Sequence, residues 1–301
     1  MDYPKVWDEV SFYSNGLRIA AWLYRPKDWK PGDPPRPGIV VLHGYTGMKT
    51  VYGMDVPHWL WEAGYFVLSH DYPGFGDSEG ERGRHRPLEQ AESTYDAVTY
   101  LQTVEGVDPA RIAFYGSSYG GSHAIWCAAF DERVKVVVSA VMVSDGERWM
   151  RTVRRPHEWL AFRRRIEEAE RKRVLTGEKT MIPLPEIMLT DPHTQSVIDG
   201  FHTKSGLYNP LYDLESAAAN MRYKPEWVAH RIAPRPVLMV YAENDMLVPF
   251  EEQRSVYEAL GQPKKLVKLP GSQHYESYQF CNPEIHAIQK REALDWYRTY
   301  L

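Results

Sequence analysis

One stretch indicates the architecture of the whole chain: Arg111-Ile112-Ala113-Phe114-Tyr115-Gly116-Ser117-Ser118-Tyr119-Gly120-Gly121. It reads as a buried strand followed by a sharp turn, and a helical pattern then continues to Phe130. Strand, turn and helix around the central serine of G-x-S-x-G are typical of a nucleophile elbow. Gly116 and Gly120 let the backbone fold tightly around Ser118 and hold it strained above the sheet edge. The pattern therefore predicts Ser118, not Ser117, as a nucleophile; the alternative is a glycine-rich turn with two structural serines.

The segments on either side of this turn alternate between short apolar runs and longer amphipathic stretches. Buried parallel strands are predicted at residues 38–42, 65–69, 111–115, 134–143, 236–241 and 264–269. Helices are predicted at residues 56–63, 88–103, 119–130, 251–260 and 283–300. Near the N-terminus, Asn15-Gly16 separates two β-rich runs and predicts an antiparallel hairpin. The predicted fold is a mostly parallel, doubly wound α/β sheet with N-terminal antiparallel strands and helices on both faces.

Residues 146–231 interrupt the alternation because they contain no convincing strand. The predicted organisation is a core of residues 1–145 and 232–301, with residues 146–231 inserted as a helical cap over the carboxyl edge of the sheet. A separate small domain is the alternative. Apolar cap residues are candidates for a substrate pocket or for plain packing: Trp149, Trp159, Phe162, Met181, Met188, Phe201 and Tyr208. Arginines 151, 154, 155 and 163–165 alternate with glutamates, which favours a solvated face or an oligomer contact over an anion site.

A serine hydroxyl needs a base to take its proton and a carboxylate to orient that base. Asp245 follows the predicted strand 236–241, and His274 follows the last predicted strand. Both stand at strand ends, from which loops can reach Ser118, in the chain order serine, acid, histidine. Glu243 is a rival acid, and His286 is a weaker competitor because it falls within a helix.

These motifs together resemble the α/β-hydrolase superfamily: Leu42-His43-Gly44-Tyr45-Thr46-Gly47, residues 71–80, the Ser118 turn, and the Asp245 and His274 loops. Within it the chain is similar to bacterial esterases, dienelactone-hydrolase-like proteins and relatives of the X-Pro dipeptidyl-peptidase and cocaine-esterase group. The resemblance implies an oxyanion hole formed by the backbone N–H groups of Tyr45 and Tyr119. In the cocaine-esterase relatives a tyrosine hydroxyl also points into this hole; Tyr45 matches it, or is an apolar pocket wall. Asp145 is an outside alternative to Asp245 as the acid.

Composition excludes several other classes of function. The net charge of −4 and pI near 6.3 provide no excess of positive charge for nucleic acid. Neither a signal peptide nor a membrane span is recognisable, so a soluble cytoplasmic protein is expected. Cys127 and Cys281 are too few for a disulfide framework and suggest neither zinc nor redox chemistry. No metal or organic cofactor is expected, and a homo-oligomer stays open.

Three functions remain as hypotheses, with a small-molecule acyl compound as the expected substrate. The resemblance favours a serine hydrolase acting on a carboxylic ester through an acyl-enzyme. The same three side chains could instead cleave an amide or peptide, cleave the carbon–carbon bond of a diketone, or transfer the acyl group to an acceptor other than water. A non-catalytic binding protein that has kept the fold is the alternative from a different class.

Overall fold

The computed structural model describes residues 3–51, 54–205 and 211–301 and contains ten strands in the described residues. The strands are β1 Trp7–Ser14, β2 Leu17–Tyr24, β3 Arg36–Leu42, β4 Phe66–His70, β5 Val107–Ser117, β6 Val134–Ala140, β7 Met181–Pro183, β8 Leu211–Asp213, β9 Val237–Ala242 and β10 Lys264–Leu269. Eight of them form one sheet in the order β1-β2-β4-β3-β5-β6-β9-β10. The hairpin β1–β2 and the pair β2–β4 are antiparallel, whereas β4, β3, β5, β6, β9 and β10 run parallel. The sequence-based prediction of the sheet is thus confirmed.

Helices cover both faces of this sheet. The α-helices are α1 Asp55–Glu62, α2 Pro87–Gln102, α3 Tyr119–Phe130, α4 Gly146–Thr152, α5 Pro156–Thr176, α6 Leu184–Ile187, α7 Pro192–Ser205, α8 Glu215–Met221, α9 Phe250–Ala259 and α10 Pro283–Tyr300. Apolar residues of α2, α3 and α9 pack on one side of the sheet, among them Leu101, Ile125 and Val256. Trp59 of α1 and Leu294 of α10 pack on the other side. Two separate cores therefore hold the sheet in place.

Strand register brings the functional loops to one edge. Leu42 at the end of β3 pairs with Gly116, and Ser117 at the end of β5 pairs with Ala140. Leu269 at the end of β10 pairs with Ala242. Since carboxyl ends of neighbouring parallel strands meet at the same edge, the loops after β3, β5, β9 and β10 converge there.

Two details differ from the sequence-based expectation. β6 ends at Ala140 instead of residue 143, because Val141 has a φ of 45° that ends the extended conformation. Residues 146–231 contain two strands, where none was expected: β7 and β8 pair in an antiparallel two-stranded sheet. Three-residue strands carry too little alternation of apolar and polar residues to be recognised in a sequence.

Apart from β7 and β8, the described residues between β6 and β9 form helices joined by loops. A third buried cluster joins it to the loops at the carboxyl edge of the sheet, with Trp149, Phe162 and Tyr212 packing near Tyr45 and Tyr119. The division into a core and a cap at residues 146–231 stays a prediction.

Candidate active site

Ser118 occupies a strained backbone conformation at the junction of β5 and α3. Its φ is 55° and its ψ is −127°, a region that residues other than glycine rarely adopt. The strain is held from both sides: the Ser118 N–H donates to the Ala140 carbonyl at 2.8 Å, and the Gly121 N–H donates to the Ser118 carbonyl at 2.9 Å. The turn thereby leaves the Ser118 side chain half-buried at the edge of the sheet.

The two glycines of the turn are required by close backbone packing. A Cβ atom on Gly116 would lie 2.1 Å from the carbonyl oxygen of Gly120. A Cβ atom on Gly120 would lie 2.1 Å from the carbonyl oxygen of Leu42, at the end of β3. Both distances are far below van der Waals contact, so any other residue would force the turn away from β3.

Ser118, His274 and Asp245 form a continuous chain of hydrogen bonds. His274 Nε2 lies 3.0 Å from Ser118 Oγ, and His274 Nδ1 lies 2.7 Å from Asp245 Oδ2. A carboxylate accepts only, so the neutral ring carries its proton on Nδ1 and leaves Nε2 as the acceptor for the serine hydroxyl. The arrangement can take a proton from Ser118 and stabilise the charge that then develops on the imidazole.

Local structure orients the acid and the base. The other oxygen of Asp245, Oδ1, accepts the N–H groups of Leu247 at 2.9 Å and Val248 at 2.7 Å, which turns Oδ2 towards His274. His274 begins a short 3-10 turn, and Ser277 Oγ donates to the His274 carbonyl at 2.7 Å. Both His274 and Asp245 are buried.

The rival acids lie elsewhere. Glu243 is exposed and accepts from Lys268 Nζ and the Gly271 N–H, each at 2.8 Å. Those two donors hold the pKa of Glu243 below its usual value. Asp145 caps the N-terminus of α4 and pairs with Lys224 Nζ at 2.7 Å. Neither carboxylate contacts His274 among the described residues.

His286, the rival histidine, also has another partner. It lies in α10, where its Nδ1 faces the Ser277 carbonyl at 2.8 Å and its Nε2 faces Asp55 at 2.9 Å. It is therefore not a member of the hydrogen-bonded chain that ends at Ser118.

The loop after β3 packs directly against Ser118. A Cβ atom on Gly44 would lie 3.1 Å from Ser118 Cβ, so Tyr45 follows immediately after the point of contact. Tyr119 is the first residue of α3, and the first N–H groups of a helix have no intrahelical acceptor. Within the described part of the chain, the backbone N–H groups of Tyr45 and Tyr119 have no hydrogen-bond acceptor. Two amides beside the nucleophile are thus free to bind a negative oxygen.

The side chain of Tyr45 lies in an aromatic cluster. Its ring stacks on His85 at a centroid distance of 4.1 Å and meets Tyr119 and Trp149 edge-on. Its hydroxyl lies 3.4 Å from Asn220 Nδ2. Burial raises the pKa of Tyr45 and lowers that of His85, so both rings are neutral at pH 7.

Two polar contacts near the nucleophile could not be anticipated. Ser117 Oγ donates to the Tyr278 hydroxyl at 2.7 Å, which joins the nucleophile turn to the segment that follows His274. Asn220 Nδ2 contacts the Tyr45 hydroxyl from α8. Neither Tyr278 nor Asn220 belongs to a recognisable motif, because their partners are distant in sequence.

The apolar residues of the predicted cap that were considered for a substrate pocket differ in their burial. Trp149, Trp159, Phe162 and Met188 are buried in the third cluster, and Met181 is 42% exposed. The side chain of Phe201 and all of Tyr208 lie outside the described residues. Arg163 pairs with Glu147 and Arg165 pairs with Glu186, as expected of a solvated face. A cleft of about 590 Å³ reaches Asp245 and Met246 and is also lined by Arg154, Leu189 and Thr190.

The described residues contain neither a candidate metal site nor a candidate membrane span. In residues 3–51, 54–205 and 211–301, no group of three or more His, Cys, Asp or Glu side chains could hold a metal ion. Over the same residues, no helix is both long enough and apolar enough to cross a bilayer. Cys127 and Cys281 are free thiols, and burial raises the pKa of both.

Comparison with known proteins agrees with this architecture. A family model described as "Serine aminopeptidase, S33" matches residues 33–275. The thiohydrolase aneE of Aspergillus aculeatus is 26% identical over 292 residues, which cover 90% of this chain and 87% of the relative. The polyketide transferase grgF of a Penicillium species is 28% identical over 302 residues, which cover 95% and 94%. The crystal structure of the alpha/beta hydrolase GrgF from Penicillium superposes with a TM-score of 0.79 at 23% identity, covering 98% of both chains.

The fold and the matches define an α/β hydrolase, which confirms the resemblance noted in the sequence. The chain belongs to the family described as serine aminopeptidase S33, a family of hydrolases.

Proposed function

We propose that this chain is a serine hydrolase that cleaves a carboxylic ester through an acyl-enzyme intermediate. The observation that carries the proposal is the hydrogen-bonded chain from Ser118 through His274 to Asp245 at the carboxyl edge of the sheet. Ser118 Oγ attacks the substrate carbonyl while His274 Nε2 takes its proton, and Asp245 stabilises the imidazolium. The N–H groups of Tyr45 and Tyr119 bind the oxygen that becomes negative.

Two further steps complete the reaction: loss of the alcohol and hydrolysis of the acyl-enzyme. The imidazolium of His274 donates its proton to the departing alkoxide, which leaves as an alcohol and leaves the acyl group on Ser118. Water attacks the acyl-enzyme with His274 again as the base, and the carboxylic acid departs. Residues 146–231 are proposed as a cap that selects the acyl group. The absence of a cofactor and a cytoplasmic location stay sequence-based predictions.

Thioester cleavage or acyl transfer is the second candidate. One relative is named a thiohydrolase and another a polyketide transferase, and both align with about nine-tenths or more of this chain. The same three side chains serve either reaction, because only the leaving group or the attacking nucleophile changes. The description of the family as a serine aminopeptidase would favour amide cleavage instead.

A matched substrate set separates these reactions. We would measure kcat/KM for an oxygen ester, a thioester and an anilide that carry the same acyl group, and repeat each assay with an added alcohol acceptor. The proposal expects the ester to be cleaved, with no turnover by Ser118→Ala. Preference for the thioester by 100-fold or more would favour the second candidate, and a new ester formed with the alcohol would indicate transfer. A folded protein inactive on every substrate would support a binding role.

A further inference from the structure

The loop that carries the proposed oxyanion amide of Tyr45 is held at both of its ends. We call residues 43–49 the oxyanion loop. It contains Thr46 at a φ of 62° and a tight turn in which the Gly47 N–H donates to the Gly44 carbonyl at 2.9 Å. A strained loop keeps such a conformation only when its surroundings fix it. An N–H group that donates to the oxyanion stabilises the transition state less if it shifts by a fraction of an ångström.

A buried ion pair fixes the C-terminal end of this loop. Lys49 Nζ lies 2.5 Å from Asp71 Oδ2, and the Lys49 side chain is only 3% exposed while that of Asp71 is fully buried. Asp71 Oδ1 also accepts the backbone N–H of Lys49 at 2.7 Å. The carboxylate therefore holds both the side chain and the main chain of the same residue.

Asp71 is itself fixed by the loop that follows β4. Its Oδ2 accepts the Asp77 N–H at 2.9 Å, and Asp77 Oδ2 lies 2.5 Å from Lys49 Nζ. A Cβ atom on Gly76 would lie 2.1 Å from Asp71 Oδ2, so only glycine lets this loop close around the carboxylate. Lys49 is thus clamped between two carboxylates that the second loop presents.

The N-terminal end of the oxyanion loop is tied to the same strand. His43 Nε2 lies 3.0 Å from Ser69 Oγ, and both side chains are buried. Tyr45 therefore stands between two polar attachments, one at His43 and one at Lys49, and both lead to β4 or its end. Burying a charged pair costs several kcal/mol of desolvation, and an apolar pair often stabilises a fold equally well. The charged pair is therefore better explained by a role in fixing the conformation of the oxyanion loop than by a role in stabilising the fold.

We infer that Asp71 and Lys49 are positioning residues, which hold the oxyanion loop so that the Tyr45 amide meets the negative oxygen of the transition state. The inference rests on the proposed function. The pair touches neither substrate nor reacting atoms; it acts through the backbone of the loop. Its loss should therefore lower transition-state stabilisation with little change in ground-state binding.

The experiment compares Asp71→Asn and Lys49→Gln with wild type. The fraction of active enzyme is first titrated with a fluorophosphonate, so that kcat refers to folded active sites alone. We expect kcat to fall by about 10- to 100-fold, less than the complete loss of one oxyanion donor costs, while KM changes by less than about 3-fold. Affinity for a trifluoromethyl ketone, which forms a negatively charged adduct on Ser118, should fall by the same factor as kcat/KM.

A matched control separates positioning from stability. Asp131 is also buried and pairs with Arg133 at 2.6 Å, but it follows α3 at the opposite edge of the sheet. Asp131→Asn should lower Tm and leave kcat per titrated site unchanged. If Asp71→Asn does not fold, Lys49→Gln and Asp77→Ala provide the test, since the backbone bonds to Asp71 remain. If the Asp71 and Lys49 variants keep the kcat and the inhibitor affinity of wild type, the positioning role is wrong, but the proposed function stands. If the wild-type protein itself is inactive, the proposed function is wrong.

Discussion

His274 Nε2 lies 3.0 Å from Ser118 Oγ, although the two residues are 156 positions apart in the chain. The sheet explains this proximity: Ser118 follows β5 and His274 follows β10, and both strands run parallel and end at the same edge. Asp245 follows β9, the neighbour of β10, and completes the alignment. Each side chain is thus positioned by its strand and by a short loop.

Replacing the base should abolish turnover without unfolding the protein. In His274→Ala the Ser118 hydroxyl keeps its proton, so kcat should fall by about 10³- to 10⁶-fold, as for other serine hydrolases that lose their base. The check is ester turnover together with thermal unfolding followed by circular dichroism. His230→Ala, at an exposed histidine, is the matched control and should retain wild-type kcat. Equal losses in both variants would count against the assigned role of His274.

Adding a methyl group at the nucleophile turn should cost both stability and activity. In Gly120→Ala the new Cβ would lie 2.1 Å from the Leu42 carbonyl, and relieving this overlap should cost about 1–3 kcal/mol of unfolding free energy. Chemical denaturation measures that loss, and ester turnover measures the displacement of Ser118. Gly200→Ala is the control, because a Cβ there meets no atom of the described residues within 4 Å. A Gly120→Ala protein with wild-type stability would contradict the described packing.

Acid should destabilise the fold through buried neutral histidines. Burial lowers the pKa of His43, His70 and His123 to about 3. Below pH 6.5 the unfolded chain binds protons that the folded chain does not, so stability is full above that pH and is lost as pH falls towards 3. Each such histidine removes about 1.4 kcal/mol per pH unit across this window.

His70 offers the test of this pH dependence, because neither of its ring nitrogens has a hydrogen-bond partner in the described structure. His70→Leu should reduce the slope of unfolding free energy against pH by about 1.4 kcal/mol per unit between pH 6 and 4. Urea denaturation at several pH values measures the slope. An unchanged slope would show that His70 is protonated in the folded state or solvated there.

The contact between Ser117 and Tyr278 should be measurable as a coupling energy. Tyr278→Phe leaves the buried Ser117 hydroxyl without an acceptor, which should cost about 1–3 kcal/mol of unfolding free energy. The double variant with Ser117→Ala removes both groups and should recover part of this loss. A double-mutant cycle from urea denaturation gives the coupling. Additive losses would mean that this hydrogen bond contributes nothing to stability.

The sequence predicts most of the sheet because most of the parallel strands are continuous apolar runs, as in residues 236–241, which match β9 Val237–Ala242 to within one residue. The three residues of the hydrogen-bonded chain were also predictable, since each follows a recognisable strand. The attachments of the oxyanion loop could not be predicted, because Lys49 contacts Asp71 only when β3 pairs with β4. The short strands β7 and β8 and the Tyr278 contact depend likewise on tertiary packing.

The nucleophilic role of Ser118 is tested most directly by labelling the folded protein with a fluorophosphonate and measuring its intact mass. Wild type and Ser117→Ala should each gain one adduct, and peptide mapping should place it on Ser118. Ser118→Ala should gain none. An unlabelled wild type, an adduct on Ser117, or continued labelling of Ser118→Ala would contradict the account.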